Sequence, residues 1–198
     1  AAATAGRTAS RAAATPAAIR AMQQLHQAHS AEVGYVEILW QVKVLQGFLA
    51  DTPVRQPGKH EFSVTADQIT PWFNATAPRI AVLESGLQQA NTGLSAAKNP
   101  VFYHDFVILP LQLYLDLLNY NQLLLQMAQM KLYAGSDWAG EQGAALLQQA
   151  KTQLQLLHQR RLTGDKNPRW GNWYHPDNRR PNNGFPVMAD LEAITQAR

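Results

Sequence analysis

The chain has 198 residues, no cysteine, a formal charge of +3 and a pI near 9.3. That length suffices for one well-buried domain, or for one domain with appendages. The lack of cysteine excludes disulfides, thiolate metal sites and cysteine nucleophiles. With 16% of residues charged, the basicity is too thin for a general polyanion binder, so nucleic acid is not an expected partner.

Abundant Ala, Leu and Gln with few β-branched runs predict an all-α protein. Residues 1–15 are small and polar with Arg7 and Arg11, and read as a flexible linker without the apolar core of a signal peptide. The expectation is a processed protein or a piece of a longer one. Thr15 and Pro16 then supply a cap and a first helical position. Met22, Leu25, His29, Val33, Val36, Trp40, Val44 and Phe48 recur at three and four, predicting one apolar helix face for about eight turns. Gly34 marks close packing and Gly47 an ending nearby; 51–63, with Pro53, Pro57 and Gly58, reads as a loop. Thr65 and Gln68 have capping-box spacing, so helix resumes at Ala66. Pro71 and Pro78 can each start a helix, which predicts a short helix and then a longer one on Ile80, Leu83, Leu87 and Ala90, ending near Asn91.

The stretch from Asn99 to Tyr133 is apolar on every side of a helical wheel, so as a helix it must be covered on several faces. It is the predicted centre of the fold. Asn99 caps it, Pro100 suits its first position, Gly135 stops it and Pro110 predicts a kink. A membrane span is the rival reading on length, but Gln112, Asp116, Asn119, Asn121 and Gln122 interrupt it at nearly every turn. A buried core helix is preferred, with these residues at seams between helices.

Ser136 or Asp137 caps a fourth long helix through Arg161, with Leu146, Leu147, Ala150, Leu154 and Leu157 inward and glutamine outward. Short connections between long helices predict an up-and-down helical bundle of four to five main helices over 16–163. The remainder, 164–198, is an aromatic-rich loop that folds back on one end and a short last helix opened by Pro186 or Val187, with Leu191 and Ile194 on one side.

Few side chains group into chemistry. His26, His29 and Glu32 lie at i, i+3 and i+6, but a carboxylate-bridged metal bundle needs matching pairs on other helices, and none are present; no metal or other cofactor is expected. His104 and Asp105 are neighbours whose side chains diverge on an α-helix, so they read as structural. Asp116 and Asn119 are expected to bond a neighbouring helix. No phosphate-binding glycine motif, nucleophile elbow or zincin motif occurs. The tail is the best candidate site. Trp170, Trp173 and Tyr174 can stack on sugar rings while Arg179, Arg180 and Asn182 bond hydroxyls or a carboxylate; the aromatics can equally plug the bundle end, and burial is the commoner use of such anchors.

From Val101 to Asn178 the order of features resembles the C-terminal helical region of large bacterial glycoside hydrolases, above all the α-glucuronidases acting on xylan side chains. The matching pieces are Phe102 and Tyr103, Pro110, Leu132 to Ala134, the helix to Arg161, and Arg169 to Tyr174. Two departures stand out: Pro168, Arg169 and Trp170 replace a glycine-lysine-tryptophan opening, and Trp173 and Tyr174 replace a methionine pair. The catalytic barrel of such enzymes lies upstream and nothing before Thr15 encodes it, so no catalytic residue carries over. The resemblance implies a non-catalytic accessory domain that supports the barrel of the same polypeptide, builds a homodimer contact or lines one edge of a carbohydrate cleft. It favours a periplasmic or extracellular location. The alternative is a stand-alone helical interaction or scaffold protein of the bacterial envelope.

Overall fold

The computed structural model describes residues 16–30, 35–52, 64–134, 138, 140–165 and 186–198. Among them the chain is all-α and contains no strand. The helices are α1 (Pro16–Ser30), α2 (Tyr35–Leu49), α3 (Ala66–Leu94), α4 (Pro100–Tyr103), a π-helical turn (His104–Ile108), α5 (Leu109–Ala134), α6 (Glu141–Asp165) and α7 (Met188–Ala197). α4, the π turn and α5 run on without interruption as one rod. α2, α3 and α6 pack around it, α1 covers α3, and α7 lies between α6 and α2.

Side-chain pairings give the directions. Ala17 faces Gly93 and Gln24 reaches Ser85, so α1 runs against α3. Tyr103 also meets Gly93, where α3 ends beside the start of the rod. Gln41 bonds Asn121 and Lys131 bonds the end of α2, so α2 runs with the rod; Leu109 faces Gly164 and Asp116 meets Gln153, so α6 runs against it. Up-and-down packing follows.

The rod is central because its apolar residues point everywhere. Ile108, Leu111, Leu117, Leu118, Tyr120, Leu124 and Leu125 are each less than 2% exposed. Its start is the one expected: Asn99 Oδ1 accepts from Phe102 N at 3.0 Å, with Pro100 at the first helical position. Asn99→Ala should therefore cost about 1 kcal/mol, the usual value of such a cap, measured by urea unfolding. A π turn stands immediately before Pro110, where a kink is expected. Leu109 N–H reaches back five residues to His104 O, and Pro110 then has no N–H to continue the ladder. Across 100–133 the rod is long and apolar enough to cross a bilayer, and 56% of its most apolar window is buried against the other helices.

The first predicted apolar face falls on α1 and α2, and 31–34 between them lie outside the described residues. In α2 the fully buried line is Ile38, Val42, Leu45 and Leu49; of the expected line Val44 is buried too, whereas Trp40 and Phe48 are only partly buried. This helix is apolar nearly all round, so periodicity could not choose its inner side. The helix ends at Leu49, near Gly47 as expected, in a Schellman-type turn: Thr52 N–H bonds Gly47 O at 2.8 Å while Asp51 takes a left-handed φ of 52°.

α3 is a single helix of 29 residues, not two, with Pro71 and Pro78 inside it. Their spacing of two turns puts both on one exposed side, together with Asp67 and Asn74, whose carbonyls lose their donors. That side is open to solvent, where an unpaired carbonyl costs little. The cap is as expected, with Thr65 N–H donating to Gln68 Oε1 at 3.2 Å. Gly86 and Gly93 allow α1 and α3 to approach closely: a β-carbon at Gly93 would lie 2.6 Å from the Tyr103 hydroxyl and 2.7 Å from Ala17 Cβ.

α6 starts at Glu141, later than the expected caps at Ser136 or Asp137, which lie outside the described residues. Leu147, Ala150, Leu154 and Leu157 are buried as expected, and Leu146 is partly so. α7 buries Leu191 and Ile194, and Val187 N–H donates to Asp190 Oδ2 at 2.8 Å at its start.

Candidate functional site

The predicted tail site, Trp170, Trp173, Tyr174, Arg179, Arg180 and Asn182, lies outside the described residues. So do Glu32 and the side chains of His26 and His29. Among the described residues no three His, Asp or Glu side chains are grouped so as to hold a metal. The chemistry that can be located lies on the rod.

At the π turn, His104 and Asp105 do not diverge as an α-helix would make them. A wider turn fans consecutive side chains by a smaller angle, and His104 Nδ1 stands 3.3 Å from Asp105 Oδ1. The imidazole is about half exposed and the carboxylate largely buried. Such a pair can hold an imidazole in one tautomer and orient it as a base, but general-base work also needs a positioned nucleophile or substrate proton. Among the described residues no hydroxyl is bonded to His104.

Beside the pair, Phe102 and Phe106 stack with ring centroids 4.3 Å apart and planes at 24°. They are 50% and 38% exposed, and Val101 is 60% exposed. Phe106 stands about one turn before Leu109, the residue that faces Gly164 near the end of α6. The exposed rings lie near the start of the rod. Phe102→Ser with Phe106→Ser should change the unfolding free energy by only about 1 kcal/mol, the worth of a partly solvated ring pair, as read by urea titration.

Deeper in the rod, polar side chains link helices. Asp116 Oδ1 accepts from Gln153 Nε2 at 3.2 Å, and Arg160 Nε stands 3.3 Å from Oδ2. Burial pushes the Asp116 carboxyl above the usual carboxylate range, with Arg160 and the Gln153 bond opposing it. Gln46 Nε2 donates to Tyr120 Oη at 2.9 Å and lies 3.4 Å from Asp190 Oδ2, joining α2, α5 and α7. Asn121 Nδ2 donates to Gln41 Oε1 at 3.2 Å. Burial also raises the Tyr114 and Tyr120 phenols; at Tyr114 the Arg79 charge opposes it and Glu37 adds to it. A displaced carboxyl is a common sign of an active site. Here Asp116 bonds α6 through Gln153 and pairs with Arg160, the expected role between helices.

At the opposite end, Trp138 is buried between two cations, Lys131 at 5.1 Å and Arg198 at 5.9 Å from its ring. Arg198 Nη2 also donates to Gly140 O at 3.0 Å, tying the end of α7 to the start of α6. Sequence reasoning passed over this cluster. Its members are far apart in the chain, and only a lone Trp in a turn-rich stretch hinted at it. The chain matches no protein-family model, curated protein or solved structure.

Proposed function

We propose that this chain is a non-catalytic helical accessory domain of a polysaccharide-active glycoside hydrolase, a rigid body that supports a catalytic domain of the same polypeptide. The structural observation that supports the reading is the way buried polar side chains are used. Asp116 ties α5 to α6, Gln46 ties α2 to α5 and α7, and Asn121 ties α5 to α2. Each bond crosses a helix seam and fixes the register of two helices, which is what a load-transmitting scaffold requires. The carbohydrate class comes from the resemblance over 101–178 and from the aromatic and basic residues of 170–182.

The deciding experiment reads the frame on both sides of the segment and assays the whole product. A barrel domain upstream, together with hydrolysis of acidic xylan oligosaccharides by the whole polypeptide and none by this chain alone, is the expected result. Release of sugar by the isolated chain would overturn the non-catalytic assignment. A frame holding this segment alone would overturn the accessory assignment in favour of a stand-alone helical scaffold of the bacterial envelope.

A further inference from the structure

No further inference is drawn: the strongest candidate, the exposed apolar patch of Val101, Phe102 and Phe106 near the start of the rod, carries nothing because nothing in the structure shows what covers it.

Discussion

Tyr120→Ala is expected to lower the unfolding free energy by about 3 to 5 kcal/mol, the range for deleting a large buried aromatic. Tyr120 is fully buried near the middle of the rod, and its hydroxyl accepts from Gln46, which also approaches Asp190. Alanine would leave a cavity where α2, α5 and α7 meet and would strip the Gln46 amide of its better partner. Tyr120→Phe keeps the ring and loses only the acceptor, so it should cost about 1 to 2 kcal/mol. Urea unfolding followed by circular dichroism distinguishes the two. Equal losses would show that the hydroxyl, not the packed ring, holds this junction.

The second large effect is expected at Asp116. Asp116→Ala removes the acceptor of Gln153 and the counter-charge of Arg160 together, a loss of about 2 kcal/mol. Arg160 is 30% exposed and can turn to water, which keeps the loss below that of a wholly buried ion pair. Asp116→Asn isolates the proton. Because burial raises the folded carboxyl above its unfolded value, the folded state holds that proton more tightly. The resulting stabilisation is complete below the ordinary carboxyl range and is lost as pH rises through the raised folded value. On acidification from pH 7, the parent should therefore gain stability relative to the asparagine variant. Should the parent lose stability relative to it, the attraction of Arg160 outweighs burial and the direction given for Asp116 is wrong.

What the sequence revealed and concealed follows from how local each cause is. Asn99 with Pro100, and Thr65 with Gln68, are caps made by residues three apart or closer, and both stand where their spacing placed them. The all-round apolarity of 99–133 likewise identified the buried rod. Pro71 and Pro78 misled because a proline reads as a boundary unless its carbonyl partners face water, and which side faces water is decided by packing. The contact of His104 with Asp105 stayed hidden because it needs a π turn, which periodicity does not signal. Trp138 was invisible as an anchor since its cations, Lys131 and Arg198, come from a different helix and from the last residue. The tail site was proposed from composition alone, and its residues lie outside the described part of the chain.

Lys131 has a consequence for how the fold meets ionic strength. Its ammonium group donates to Phe48 O at 2.9 Å and Leu49 O at 3.2 Å, carbonyls in the last turn of α2, of which Phe48 O otherwise has only a long bond of 3.4 Å from Asp51 N–H. It also pairs with Asp51 at 2.7 Å and lies 5.2 Å from the Phe48 ring and 5.1 Å from that of Trp138. Asp51 is 67% exposed on its side chain and Lys131 only 14%. Mobile ions reach the carboxylate readily and the ammonium hardly at all, so salt weakens the outer pair while leaving the two carbonyl bonds in place. The mooring of α2 to the rod thus belongs with the backbone ladder rather than with the charged surface, and it persists in brines that erase ordinary surface ion pairs.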